Sequence, residues 1–207
     1  MENKTGKTIA LLDYGSGNLR SVSKALEKIG CDVRLTADPA GLEAASAVVL
    51  PGVGAFGDCA TNLRSRGLWK PVQEWLASGR PFLGICVGYQ LLFEGSEETP
   101  GVDGLGFFKG MVSRFSTPGL KVPQIGWNTL TIRSGPLWIG LPDKPFVFFV
   151  HSYFPAPDDR AIISAEATYG EDFAAAVSQG NVHAVQFHPE KSQANGLRIL
   201  SNFVDTI

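Results

Sequence analysis

The first half of the chain alternates short apolar runs with stretches of longer period. "TIALLDYG" reads as a strand, and after it Leu19, Val22, Leu26 and Ile29 recur at spacings of three and four until Gly30 closes the stretch, as a helix with one buried face would. "CDVRLT", "SAVVLPG" and "PFLGIC" continue as strands, with "FGDCATNLRSRGLWKPVQEWLASG" supplying helix between the last two. Strands separated by helices predict an α/β fold, a parallel sheet covered on both faces. Beyond about residue 100 the texture changes to "GLGFFKGMVSRF", "VPQIGWNTLTIR", "FVFFVHSYF", "AIISAEATYG" and "VHAVQFHPE", strand-like runs broken by Gly, Pro, Asn and Ser. This second half reads as mainly β. Leu197, Leu200, Val204 and Ile207 then mark one face of a last helix able to return over the sheet.

No repeat, low-complexity tract or linker interrupts the pattern, so residues 1–207 read as a single domain with a substantial core. Apolar residues at 44%, charged residues at 18% and a net charge of -2 describe an ordinary globular protein without the basic tract that nucleic acid attracts. The apolar run before Asp13 is too short for a signal-peptide core and no later run approaches a membrane span, so a cytoplasmic location and no membrane partner are expected. Cys31, Cys59 and Cys86 are widely spaced and odd in number, which fits neither a disulfide framework nor a zinc site. No metal is expected, and Cys31 and Cys59 read as small buried apolar residues.

Two phosphate-loop patterns are set aside. "GKT" at Gly6 to Thr8 resembles the end of a P-loop, but Met1 stands where the first glycine belongs and no strand precedes it. Gly52, Gly54 and Gly57 in "PGVGAFG" match a dinucleotide fingerprint, yet the loop follows the third strand, and the acidic residue at the right distance, Glu74, lies inside the helical "VQEWLAS". A bound cofactor is therefore not expected, although a dinucleotide-binding protein remains the rival from another class.

"GICVGYQ" carries the chemistry. A residue flanked by glycines two positions before and two after, on a strand-to-helix turn, is the nucleophile-elbow pattern, here with Cys86 as nucleophile. "VGYQLLFE" is expected to start a helix whose free amides favour the thiolate. A thiol hydrolase needs a base, and the chain has three histidines, His151, His183 and His188. In "VHAVQFHPE" alternation puts Ala184, Gln186 and His188 on one face and His183, Val185 and Phe187 on the other, so His183 and His188 cannot serve one site. His188 has the better case, because Glu190 two residues on could accept its N–H and fix the tautomer. His183 reads as a packing or solvated residue, and His151 is open between packing and substrate contact. Acyl transfer also requires N–H donors for the oxyanion, each contributing about 3 kcal/mol in the transition state. Gly52, Val53 and Gly54 at the end of the third strand, with the N–H of Val87, could supply them.

These motifs, "PGVGAFG", "GICVGYQ" and "FHPE" in that order, resemble the class I, or triad, glutamine amidotransferases over nearly the whole chain. The resemblance implies a flavodoxin-like α/β domain with a central, mostly parallel sheet, an added antiparallel region in the second half, and glutamine hydrolysis through a Cys86 thioester. Cys86, His188 and Glu190 would form the triad, and Gln90, Glu98, Ser152 and Tyr153 would hold glutamine. Glu94 and Glu97 read as a solvated acidic loop. "DYGSGN", "KVPQIGWN" and "FVHSYF" further resemble the glutaminase subunits that pass ammonia through a channel to a (β/α)8-barrel cyclase, implying a heterodimer. Asn18, Lys121, Gln124, Trp127 and Asn128 would face that partner or relay its state. The nearest rival is a glutaminase feeding another synthase, in the pyridoxal phosphate or aminodeoxychorismate pathway. A non-catalytic subunit is opposed by the intact Cys86, His188 and Glu190.

Overall fold

The computed structural model describes residues 6–116 and 118–207. Met1, on which the P-loop comparison turned, and the start of the N-terminal tract read for a signal core lie outside them. Four apolar runs become the strands that carry the core. They are β1 (Thr8–Leu12), β2 (Asp32–Thr36), β3 (Ala47–Leu50) and β4 (Phe82–Ile85), interleaved with α1 (Leu19–Lys28), α2 (Ala40–Glu43), α3 (Phe56–Ser65) and α4 (Trp69–Ala77). Every residue of β3 and β4 is buried, as a parallel strand covered on both faces requires. The helical stretch expected between β3 and β4 is divided into two helices, because Gly67 at φ 67° breaks it and the N–H groups of Arg66 and Gly67 turn back onto Asn62 and Arg64.

The chain then passes through α5 (Val87–Gln90), β5 (Gly95–Ser96), β6 (Gly110–Arg114), β7 (Gln124–Thr129), β8 (Thr131–Ile132), β9 (Phe146–His151), β10 (Tyr153–Pro157), β11 (Ile163–Thr168), β12 (Asp172–Gln179) and β13 (Val182–Val185). It ends in α6 (Gln193–Asp205), whose Ile199, Leu200, Phe203 and Val204 are buried and which packs beside α1. The main sheet runs β2-β1-β3-β4-β13-β12-β11-β8; β2 through β13 are parallel, and β12, β11 and β8 add an antiparallel edge. β10, β6 and β5 form a second sheet, and β7 pairs with β9 as a two-stranded ribbon. β12 is a strand that the pattern does not announce. "DFAAAVSQ" is rich in alanine, a helix former, and shows no alternation because both its faces are covered.

The "FVFFVHSYF" run is divided at Ser152, with β9 in the ribbon and β10 in the second sheet. Its apolar character on both faces has a direct cause. Val147, Phe149 and His151 point inward and are buried, whereas Phe146, Phe148 and Val150 point outward, opposite Thr129, Trp127 and Ile125 of β7. Among the described residues no helix is long and apolar enough to cross a membrane.

Candidate active site

Cys86 sits where β4 turns into α5, at φ 56° and ψ -113°, a conformation that costs a residue with a Cβ about 1–3 kcal/mol. Its neighbours hold it there. The Cys86 N–H donates to the Val185 carbonyl at 2.9 Å, and its own carbonyl accepts from Tyr89 and Gln90 at 3.0 and 3.1 Å. A Cβ at Gly88 would collide with the Leu50 carbonyl, and one at Gly84 would lie 2.9 Å from the Gly88 carbonyl. The flanking glycines are thus demanded by close backbone approach. The helix expected through "VGYQLLFE" is only the single turn Val87–Gln90. Beyond it the carbonyls of Leu91, Leu92 and Phe93 accept from Leu105, Phe108 and Gly106 instead of from a next turn. One turn carries little macrodipole, so the stabilisation of a sulfur anion must come from elsewhere.

His188 supplies it. The chain leaves β13 at Val185, and the His188 N–H is anchored on the Phe148 carbonyl of β9 at 2.9 Å. Its Nδ1–H donates to Glu190 Oε1 at 2.9 Å, since a carboxylate can only accept, and both side chains are buried. Burial alone would lower the His188 pKa; hydrogen bonds and charge from Cys86 and Glu190 outweigh it and push it up to about 10. Glu190 Oε2 is buried without a hydrogen-bond partner among the described residues, so that carboxylate is compensated chiefly through His188. The arrangement favours a protonated His188 held by the Glu190 carboxylate.

The other two histidines face different surroundings. His183 bonds Ser178 Oγ at 2.9 Å and lies against Phe203 of α6; burial lowers its pKa to about 4. His151 lines the cleft, yet both ring nitrogens are committed inside the protein. Nδ1 meets the Tyr153 carbonyl at 2.9 Å and Nε2 meets the Gln124 side chain at 3.0 Å. Burial among aromatic rings lowers its pKa to about 4 against the pull of the Tyr153 carbonyl.

A cleft of about 270 Å³ opens over the sulfur and brings together Val53, Gly54, Cys86, Val87, Gln90, Glu98, Ser152, Tyr153 and His188. Gly52 stands behind it, where a Cβ would meet the Gly88 amide at 2.7 Å. Lys191, Pro123 and Val150 also line it; Pro123 and Val150 fall inside "KVPQIGWN" and "FVHSYF", whereas Lys191 carries no motif that would reveal it. Glu98 Oε2 accepts the Phe56 N–H at 2.7 Å at the start of α3. Glu94 and Glu97 reach solvent, as expected, and also hold β6: Glu94 binds Lys109 and the Gly110 N–H, and Glu97 accepts from the Arg114 N–H.

The glycine-rich loop is held by side chains. Tyr14 donates to the Pro51 carbonyl, Ser16 to the Val53 carbonyl, and the Val53 N–H donates back to Ser16 Oγ at 3.3 Å. Cys59, read as a packing residue, also bonds Ser16 Oγ and the Val53 carbonyl. The Val87 N–H donates to the Gly52 carbonyl at 3.4 Å. Both of these backbone amides are therefore occupied within the protein.

Of the residues assigned to a partner, Trp127 is 46% exposed on the outer face of the ribbon, with Ile125 at 63% and Phe146 at 56% beside it. Gln124 is buried beneath that face on His151. Lys121 is exposed, its carbonyl accepting the Tyr169 hydroxyl. Asn128 bonds the Thr168 carbonyl, and Asn18 starts α1 by accepting the Ser21 and Val22 N–H groups on its carbonyl.

Strained thiol, paired imidazole and buried carboxylate at the carboxyl end of a parallel sheet are the groups that a cysteine hydrolase of triad type needs. The chain belongs to the class-I glutamine amidotransferase family, whose model matches residues 10–207. Among curated proteins it is 51% identical over 206 residues to "Imidazole glycerol phosphate synthase subunit HisH" of Syntrophotalea carbinolica, covering 95% of this chain and 99% of that one. The protein of the same name from Geobacter sulfurreducens is 50% identical over 202 residues, 94% of this chain and 97% of that one. Among solved structures, a glutamine amidotransferase superposes with a TM-score of 0.76 at 21% identity, covering 96% of this chain and 99% of that one. PurLQS from Thermotoga maritima superposes at 0.77 and 19% identity, covering 97% of this chain and 98% of that one, which extends the fold likeness.

Proposed function

We propose that this chain is the glutaminase subunit of an imidazole glycerol phosphate synthase, hydrolysing glutamine and passing ammonia to a cyclase subunit in histidine biosynthesis. The observation that carries the chemistry is the Cys86, His188 and Glu190 arrangement at the floor of the cleft. The Cys86 sulfur attacks the side-chain carbonyl carbon of glutamine, and the carbonyl electrons move onto oxygen. On collapse the C–N bond breaks, His188 delivers a proton to the departing nitrogen, and ammonia leaves a glutamyl thioester. Water then attacks the thioester as His188 takes its proton. Breaking the C–S bond releases glutamate and restores the thiolate, while Glu190 keeps the imidazole in its tautomer throughout.

The cleft suits an amino acid. Gln90 spends its amide nitrogen on the Tyr153 carbonyl at 3.0 Å and Gln186 Oε1 at 3.1 Å, so toward the cleft it offers an oxygen acceptor. With Glu98 it would receive an ammonium, and Ser152 and Tyr153 would contact the remainder of the substrate. The oxyanion donors are assigned to the loop Gly52 to Gly54 and to Val87. With the Val53 amide held by Ser16, they would become available when docking turns the loop.

The partner reading is supported by relatedness at about half identity over nearly the full chain and by the exposed apolar face of the ribbon. The face adjoins the cleft, since Val150 belongs to both. The partner is assigned as a (β/α)8-barrel cyclase forming a heterodimer, and the face would seal the ammonia path from water, where ammonia is mostly protonated and no longer nucleophilic. Trp127, Lys121, Asn128 and Asn18 would meet the cyclase, and Gln124 would carry its state inward to His151. The compartment is assigned as the cytoplasm. Glutamate release from glutamine is the test, measured for wild type and Cys86→Ala, each with and without a cyclase subunit and its ligand. Release by the partnered, ligand-stimulated wild type alone is expected, and equal release by the partnered Cys86→Ala chain would overturn the mechanism.

A further inference from the structure

Gln186 lies two residues before His188, past the end of β13, and is fully buried. Nothing in the triad chemistry requires a buried amide there. Its Nε2 nonetheless points at the nucleophile, donating to Cys86 Sγ at 3.7 Å, an ordinary length for an N–H bond to a large sulfur atom. Its orientation is fixed by a chain of partners. The Tyr153 carbonyl can only accept, so Gln90 must turn its amide nitrogen that way. The same nitrogen reaches Gln186 Oε1, so Gln186 in turn must present its own nitrogen to the sulfur. A flip of Gln90 would set its oxygen against two acceptors, and a flip of Gln186 would set its nitrogen against the Gln90 nitrogen, donor against donor, in a buried site.

We propose that Gln186 is a catalytic residue of the glutaminase reaction, the hydrogen-bond donor that stabilises the Cys86 sulfur as an anion. The proposal rests on Cys86 being the nucleophile. It acts beside His188 where the single-turn α5 contributes little: the Gln186 amide is a fixed donor that a neutral thiol has less need of. A donor to a charged acceptor is worth more than a neutral pair, so the bond favours thiolate over thiol. When the sulfur attacks carbon its charge disperses and the bond weakens. At the second step, as the C–S bond breaks, the bond strengthens again and favours departure of the thiolate. Gln186 therefore assists thioester hydrolysis as well as forming the attacking species.

Alkylation tests this without needing glutamine turnover. The rate of iodoacetamide reaction at Cys86, read by mass spectrometry of its peptide in the full chain, is followed from pH 5 to pH 10. Wild type is compared with Gln186→Met, which keeps the volume and removes the donor, and with Gln186→Asn, whose shorter amide withdraws from the sulfur. Circular dichroism reports the fold. We expect an approximately tenfold slower reaction at pH 7 in either folded variant, with the high-pH plateau within twofold of wild type, because base then supplies the anion. A packing role would lower the whole profile. A folded variant whose profile superimposes on wild type, or falls equally at every pH, overturns the proposal. If the wild-type pair releases no glutamate while the alkylation profile shifts as expected, the functional reading fails and the role of Gln186 as sulfur donor stands.

Discussion

Ser16 binds both polar groups of one peptide residue, accepting from the Val53 N–H and donating to its carbonyl. An amide held in this way cannot also bind an oxyanion. Ser16→Ala removes the hold while leaving Cys59 and Tyr14 on the loop, so the partner-free glutaminase rate should rise, by about tenfold if the latch contributes a typical hydrogen bond of about 1 to 1.5 kcal/mol. A coupled glutamate assay on the isolated chain measures it, and an unchanged rate would show that Ser16 does not restrain the loop. The residues of this site differ in how readable they are. Cys86, His188 and Glu190 are legible because glycine spacing and the proximity of an acid to a histidine are written along the chain. Gln186 is legible only as the residue that alternation places on the same face as His188, because a buried amide among apolar neighbours carries no motif. The Ser16 latch joins residues 37 apart, and nothing local records it.

At the level of elements, the turn from β4 into α5 leaves no room for a side chain at Gly88, where the obstacle is backbone that cannot rotate away. Gly88→Ala is expected to lose at least about 3 kcal/mol of stability or fail to accumulate in soluble form, as chemical denaturation and expression yield would report. β13 and β9 hold histidines that must stay neutral. His183 and His151 have pKa values of about 4 in the fold against about 6.5 in an unfolded chain, so unfolding takes up protons below pH 6.5 and stability falls as pH drops from there toward 4. For His183 this amounts to about 2 kcal/mol between pH 7 and pH 5. His183→Gln should shrink the difference in urea midpoint between those two pH values, and a difference equal to wild type would refute the assignment. The strands β1 to β4 could be read from sequence because each is a short apolar run bounded by turn residues. β12 could not, since its order comes from β11 and β13 on either side, and the break between α3 and α4 depended on one glycine inside a helical pattern.

For the whole molecule, the ribbon of β7 and β9 connects an outer surface to the catalytic floor. Trp127 packs edge-on to Phe148, and the backbone carbonyl of Phe148 anchors the His188 N–H. If the ribbon is the docking face, Trp127→Ala should weaken cyclase binding by about 2 kcal/mol, roughly thirtyfold, with little change in the thermal midpoint of the isolated chain. Titration calorimetry decides it, and unaltered affinity would move the interface elsewhere. The two-sided apolar character of "FVFFV" is visible in the sequence, but that one row feeds the core and the other meets water emerges only once the strand is paired. That division also limits how β9 can respond to a push. A slip of one residue along its own axis would swap the rows, carrying Phe149 into water and Phe148 into the core, a cost far beyond what docking supplies. A strand that cannot slide is left with rocking, so if the cyclase bears on Trp127 its push would reach His188 as a tilt of the imidazole.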